Sequence, residues 1–578
     1  MSEADSGVRV TECETLIFEQ DVPITVSDGN VLRANVFRPK RAGRYPVIMA
    51  MGVYGKDLHF EDGFARQYNV LLERYPDLCA NGSTGRFLRW ETADPERWVP
   101  HGYVVIQVDS RGSGKSPGFL DPRSAREMTD YHDCIEWAAQ ADWSNGNVGL
   151  LGISYYAVTQ WRVAALRPPS LKAICPWEGW VDYYRDSSHQ GGILASGFAN
   201  YWWPQQCLKV QHGNGDSPHV DRETGKSVCG DPLSPAQLVF NRTDYPADIL
   251  AHPLDDAWWQ ERTADLKRIE VPVLSGGNWS GPGIHLRGNI EGYQQVASQQ
   301  KWLSMHDGKH WESFYLPQFV AMQRQFFDQF LKGEDSGWAA QPPVQLSIRT
   351  PHGSARRDEQ AFPLARTAYQ TLCLDTSTTA LSEATPEAGI LSFDAQSNGV
   401  AFKTRPFEED TEVTGYVSLK LFMSSSTTDA DLFVTLHAID ESGVDFVFDG
   451  AHEPTPMAKG WLRASQRKLC PDRSLPHRPF HAHDEIQPLQ PGQVYEVDIE
   501  IWPTCFMFPK GWQLELRIAG IDFEYEGQPG RLLHKHPDDR GRPAFAGVTT
   551  IHSGPDSVSR LVLPVIPANG TEQEWPKT

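Results

Sequence analysis

Val148-Gly149-Leu150-Leu151-Gly152-Ile153-Ser154-Tyr155-Tyr156-Ala157 is an apolar run that breaks at a glycine and a serine and continues with helical spacing. A serine on so sharp a strand-to-helix turn projects its hydroxyl above the sheet, and the next backbone N–H faces the carbonyl it attacks. The turn leaves room only for a tiny residue two positions before the serine, which Gly152 supplies, and Tyr155 supplies the N–H. Where the motif usually repeats its glycine after the serine, Ala157 is the small residue that keeps the helix close to the strand. Ser154 is therefore the candidate nucleophile, and the strand and helix around it point to a parallel α/β sheet.

Outward from this turn the rhythm of apolar run, loop and helix repeats. Residues 103–108, 148–151 and 171–176 read as buried strands, and helices are expected over 128–140 and 155–167. Upstream, the Ser27-Asp28-Gly29-Asn30 turn with the runs 31–37 and 46–51 reads as an opening antiparallel pair. Residues 186–255, rich in Gly, Trp, Gln and His, interrupt the rhythm and are read as a partly helical insertion. Runs 271–275 and 302–306 resume the sheet, and the amphipathic stretch 317–332 closes it with a phenylalanine stripe that reads as core. Beyond Gln341-Pro342-Pro343 short alternating strands replace helical periodicity. The expected layout is an α/β core in two parts, 1–185 and 256–337, a cap over 186–255, and an all-β domain, a sandwich or jelly roll, over 338–578.

A nucleophilic serine needs a base, expected after the last sheet strand. His310 follows the run 301–305 and the Asp307-Gly308 bend and is preferred as the base, with His306 as the alternative. Their four-residue spacing resembles a zinc pair, but no helix, Glu or Cys accompanies it, so no metal is expected. The third member, a carboxylate that holds the histidine's tautomer, belongs in the loop after 271–275. That loop reads Gly276-Gly277-Asn278-Trp279-Ser280-Gly281 and contains no acid. The neighbouring strand ends in Cys175-Pro176-Trp177-Glu178-Gly179-Trp180-Val181-Asp182, which makes Glu178 the preferred acid and Asp182 the second choice. Neighbouring strands lie about 4.8 Å apart, so the displacement is one that a glutamate's extra methylene helps to span.

With these residues in view, the chain resembles the cocaine esterase and nonactate hydrolase (CocE/NonD) family, relatives of the X-Pro dipeptidyl peptidases and α-amino acid ester hydrolases. The resemblance runs nearly the whole length. It rests on Gly52-Val53-Tyr54-Gly55-Lys56, on Asp109-Ser110-Arg111-Gly112-Ser113-Gly114-Lys115-Ser116, on Trp143-Ser144-Asn145-Gly146 and on the Ser154 turn. In the C-terminal part it rests on Ser424-Ser425-Ser426, Asp429-Ala430-Asp431-Leu432, Arg463-Ala464-Ser465 and Pro491-Gly492. It implies an α/β-hydrolase core followed by a jelly roll, and an oxyanion hole formed by the Tyr54 hydroxyl with the Tyr155 N–H. Ser280 stands where the family carries its catalytic aspartate, so that acid does not transfer.

The implied activity is cofactor-free serine hydrolysis of an ester, with an amide or lactone less favoured, through an acyl-enzyme. The cap aromatics Tyr201, Trp202 and Trp203, with His212 nearby, are expected to line an acyl pocket. X-Pro dipeptidyl peptidase and acyltransferase activities are the alternatives within that chemistry, and a binding protein with a decayed triad is the alternative outside it. Gly114-Lys115-Ser116 imitates the end of a phosphate-binding loop, but Asp109 occupies the place of its first glycine. With 74 acidic against 53 basic residues in 578, the formal charge of −21 repels nucleic acid. There is no apolar run of membrane-spanning length and no leader pattern, and nine cysteines without framework spacing suit a reducing compartment. A cytoplasmic enzyme acting on a small molecule is expected, without membrane or nucleic-acid partners, and a homo-oligomer is compatible with the sequence.

Overall fold

A computed structural model describes residues 7–80, 82–528, 534 and 537–567. The alternation around Ser154 builds a mixed sheet of eleven strands in the order β1-β2-β3-β5-β4-β6-β7-β8-β9-β10-β11. These are β1 (Arg9–Glu12), β2 (Leu16–Thr25), β3 (Val31–Pro39), β4 (Tyr45–Gly52), β5 (Val104–Asp109), β6 (Ser144–Ile153), β7 (Leu171–Trp177), β8 (Val273–Asn278), β9 (Lys301–His306), β10 (Val344–Thr350) and β11 (Gly353–Glu359). From β5 through β10 all neighbours are parallel. Parallel strands need helical crossovers that cover both faces, and β5 is accordingly buried at every position. The helices that matter for the site are α1 (Ala125–Gln140), α2 (Tyr155–Ala165), α3 (Leu286–Gln295) and α4 (Pro317–Phe327). The Ser124 hydroxyl caps α1 by accepting the Glu127 N–H. In α2 every residue is buried, so this helix is enclosed on all sides, not amphipathic.

Two sequence expectations change here. The antiparallel partners of β3 are β2 and β5, not the run 46–51, and that run is the interior parallel strand β4, separated from β3 by β5. The reason is hydrophobicity on both faces of β4, where seven of eight residues are buried, a pattern suited to the middle of a sheet. The second change concerns the boundary drawn at 338. β10 pairs with β9 and β11 with β10, so residues up to Glu359 extend the first sheet before the chain departs. Alternation alone does not say which sheet a strand joins.

Residues 186–255 carry short helices, Ser196–Trp202, Pro235–Phe240 and Tyr245–Ala251. They are tied to the core through Arg123, whose guanidinium carbon lies 4.6 Å from the Trp202 ring centre and 5.2 Å from that of Tyr245. The remaining chain forms a second eleven-stranded sheet. Its long strand Thr411–Ser425 pairs with Tyr495–Phe508, Val548–Ser553 and Arg560–Ile566, so the sheet returns on itself around its own apolar core of Leu419, Leu421, Ile499 and Leu516. The buried Arg287 of α3 links the parts, donating to Asp186 at 2.8 Å and to Glu500 at 2.9 Å. Among the described residues, no helix is long and apolar enough to cross a membrane.

Candidate active site

Ser154 lies between β6 and α2 with φ 54° and ψ −113°, a left-handed backbone that a serine adopts only when its surroundings impose it. Its N–H donates to the carbonyls of Trp177 and Glu178 at 3.1 and 3.2 Å, which pins the turn to the end of β7. Gly152 is required as read: a Cβ there would stand 2.5 Å from Cβ of Tyr156 and 3.1 Å from the Glu91 carbonyl oxygen. The second small contact is made differently. Ala157 packs its methyl against Gly179, where a Cβ would come within 2.5 Å, so the glycine that admits α2 stands in the facing loop.

Glu178 follows β7 directly with φ 50° and is fully buried. Its Oε2 accepts from His310 Nδ1 at 2.7 Å. Its Oε1 accepts from His306 Nε2 at 2.8 Å and Asn278 Nδ2 at 3.2 Å. Burial opposes the charge of this carboxylate, but the His310 charge and the hydrogen bonds of both histidines outweigh it and hold its pKa at about 2. His310 itself would be neutralised by burial, yet Glu178 and a second carboxylate push its pKa up to about 10. That second carboxylate is Glu91, whose Oε1 lies 3.1 Å from His310 Nε2. His306 closes β9 and stacks on Trp177, ring centres 5.1 Å apart.

The hydroxyl of Ser154 is not bonded to His310. Its Oγ lies 3.1 Å from Nε2 of His285, in the loop before α3. The His285 ring stacks over that of His310 with centres 5.2 Å apart and planes within 12°. Burial, reinforced by the His310 charge, holds the His285 pKa well below its ordinary value, and its Nδ1 has no hydrogen-bond partner among the described residues. Reading the sequence missed both His285 and Glu91. His285 falls in Gly281-Pro282-Gly283-Ile284-His285, just past the loop searched only for a carboxylate. Glu91 precedes β5 in a stretch with no motif, and its one structural mark, φ 63°, is invisible in sequence.

Asp182 accepts from Arg185 N and Nη1 at 3.0 and 2.9 Å and is an ion-pair partner there. Ser280 braces its loop, its N–H donating to Asn278 Oδ1 at 2.8 Å and its hydroxyl accepting from Gly308 N at 3.3 Å. The Tyr54 hydroxyl accepts from Trp202 Nε1 at 2.9 Å, which leaves its hydrogen free to donate, and burial with the nearby Glu91 keeps that hydroxyl protonated. Tyr155 N–H heads α2, where the first N–H groups lack intrahelical partners. Of the insertion's aromatics Trp202 and Trp203 are buried and Tyr201 is exposed, while His212 Nδ1 pairs with the Gly114 carbonyl. Lys115 is committed to Asp21 and Asp57.

Such a serine turn, with buried imidazoles and a carboxylate converging on it, is the machinery of serine hydrolases. The profile of the X-Pro dipeptidyl-peptidase (S15 family) matches residues 28–312, and that of the X-Pro dipeptidyl-peptidase C-terminal non-catalytic domain matches residues 336–562. A crystal structure of a CocE/NonD family hydrolase from Staphylococcus aureus is 34% identical, with 97% of each chain covered and a TM-score of 0.84. Cocaine esterase of Rhodococcus sp. strain MB1 Bresler is 24% identical over 94% of this chain and 98% of its own. A putative serine esterase of Mycobacterium tuberculosis strain CDC 1551 / Oshkosh is 22% identical over 97% and 96%. The chain belongs to the CocE/NonD family of serine hydrolases, related to the X-Pro dipeptidyl peptidases.

Proposed function

We propose that the protein is a carboxylesterase in which Ser154 attacks the ester carbonyl and His310, oriented through Nδ1 by Glu178, accepts the serine proton at Nε2. The oxyanion takes the Tyr54 hydroxyl and the Tyr155 N–H, two donors aimed at charge that develops only during attack. His310 returns its proton to the departing alkoxide, and water enters by the same route in reverse to release the acid. The observation that carries this reading is the 2.7 Å Glu178–His310 bond beside a strained, buried serine turn. Esterase names among the relatives favour an ester over an X-Pro peptide bond, though both groups of relatives share the chemistry. We take residues 186–255 as the cap, since Trp202 holds the Tyr54 hydroxyl, and the closed second sheet as the jelly roll. Nine cysteines without a disulfide fit a reducing, cytoplasmic setting.

A second reading has its own observation: His285, not His310, touches Ser154 Oγ. In that reading His285 is the base and the Glu178–His310 pair supports it from behind. A fluorophosphonate probe followed by intact mass and peptide mapping tests the class, because capture needs an activated serine and no knowledge of substrate. The expected result is one adduct on Ser154, absent in Ser154→Ala. A protein that takes no adduct while folded would be the binding protein with a decayed triad. His310→Gln and His285→Gln then separate the bases: the proposal expects the larger loss of labelling rate in His310→Gln.

A further inference from the structure

His310 has both ring nitrogens on carboxylates, Nδ1 on Glu178 at 2.7 Å and Nε2 on Glu91 at 3.1 Å. An ionised carboxylate only accepts hydrogen bonds, and a neutral imidazole has a single N–H. Two such bonds therefore need one proton more than a neutral His310 between two ionised acids supplies. With that proton in place Nε2 has no lone pair for Ser154, whose hydroxyl is on His285 instead.

Glu91 is built into this position. Its backbone has φ 63°, in the left-handed region that strains a glutamate. It is held there because its N–H donates to the Tyr315 hydroxyl at 2.8 Å and its carbonyl accepts from Ile153 N, next to the nucleophile, at 3.0 Å. The titratable groups facing the Glu91–His310 contact include Glu178 and His285, His452 with its ring centre 5.0 Å from that of His310, and the phenols of Tyr54, Tyr156 and Tyr315. Burial raises the Glu91 pKa to about 7, with His310 opposing.

We propose that Glu91 is a positioning residue that holds His310 as an imidazolium at rest, so that Ser154 becomes reactive only when the Glu91–His310 pair releases a proton to solvent. The inference rests on the reading of His310 as the base. Loss of the proton breaks the Nε2–H···Oε1 bond, leaves His310 neutral with Nδ1–H still donated to Glu178, and exposes the Nε2 lone pair that accepts the Ser154 proton. The pH at which this occurs belongs to the pair, not to either residue.

The first test is the pH dependence of fluorophosphonate labelling at Ser154. Glu91→Gln removes a charge in contact with the imidazolium, so the acid limb is expected to move down by about one pH unit or more. A limb that stays in place or moves up overturns the proposal. Should Glu91→Gln fail to fold by circular dichroism, Glu91→Asp, which withdraws the carboxylate by one methylene, is expected to move the limb in the same direction by less. The second test needs neither variant nor activity: 15N-histidine NMR of the whole protein, with His310 assigned through His310→Gln. Both His310 nitrogens are expected to be protonated at pH 7, and a neutral His310 ring overturns the proposal. If Ser154 takes no adduct, the esterase reading fails and the NMR result still decides the role of Glu91.

Discussion

Glu178 carries the heaviest demand placed on one residue, since it sits on the strand next to the usual position of the acid. In the proposed reaction it fixes the His310 tautomer and offsets the charge that His310 acquires. Glu178→Gln keeps the shape and removes that function, and comparable loss of a triad acid costs about 10⁴-fold in rate. The expectation is that order of loss in ester hydrolysis measured above the acid limb of each protein, where His310 is neutral, and retention of a tenth of the rate would end the assignment. Glu178 also affects stability. Its folded pKa of about 2 lies below the ordinary 4.5, so the stability it contributes is present above pH 4.5 and is lost as pH falls toward 2. Urea denaturation between pH 5 and pH 2 should accordingly show a shallower decline for Glu178→Gln than for the wild type.

At the scale of elements, the serine turn depends on how closely α2 approaches the end of β7. Gly152 admits Tyr156, and Gly179 admits Ala157. Gly179→Ala places a methyl 2.5 Å from the Ala157 Cβ and 3.0 Å from its carbonyl carbon. Overpacking of this kind costs about 1–3 kcal/mol. A lower denaturation midpoint is expected, with partial recovery in Ala157→Gly/Gly179→Ala, where the glycine has moved across the contact. Full recovery is not expected, because the backbone of Ala157 stays close. If the double variant is no more stable than Gly179→Ala, the contact is not what limits the turn.

At the scale of the molecule, a loop between the second-sheet strands Asp431–Ile439 and Ala458–Arg463 helps to build the site. The Ala451 carbonyl accepts the His310 N–H at 3.1 Å, and the Ala451 N–H donates to Ser280 at 2.8 Å. Arg287, 3% exposed, carries the neighbouring charge balance between Asp186 and Glu500. Removing one partner from a buried ion pair strands the others and costs about 3–5 kcal/mol. Arg287→Met is therefore expected to lower stability by that amount in chemical denaturation. A loss under about 1 kcal/mol would mean that the two carboxylates find water or protons without rearrangement.

The amino-acid sequence by itself determined the serine turn, the alternation of strands and helices around it, and the C-terminal β-rich part, because these depend on local periodicity and on the size of single residues. The spacing of Gly152 and Ser154 reports a steric demand met within a few residues, and Gln513-Leu514-Glu515-Leu516-Arg517-Ile518, in the strand Gln513–Ala519 of the second sheet, alternates polar and apolar residues with a period of two. Glu178 was legible as the nearest acid at a strand end, and there its Oε2 accepts from His310 Nδ1. What only the tertiary structure decided are contacts between residues far apart in the chain. Ser154 meets His285 across 131 positions, and His310 meets Glu91 across 219. No local pattern marks either pair: a histidine before a helix and a glutamate between a tryptophan and a threonine are ordinary until β6, β8 and β9 bring them together. The joining of β10 and β11 to the first sheet was hidden for the same reason, since hydrogen-bond partnership is a property of neighbours in space.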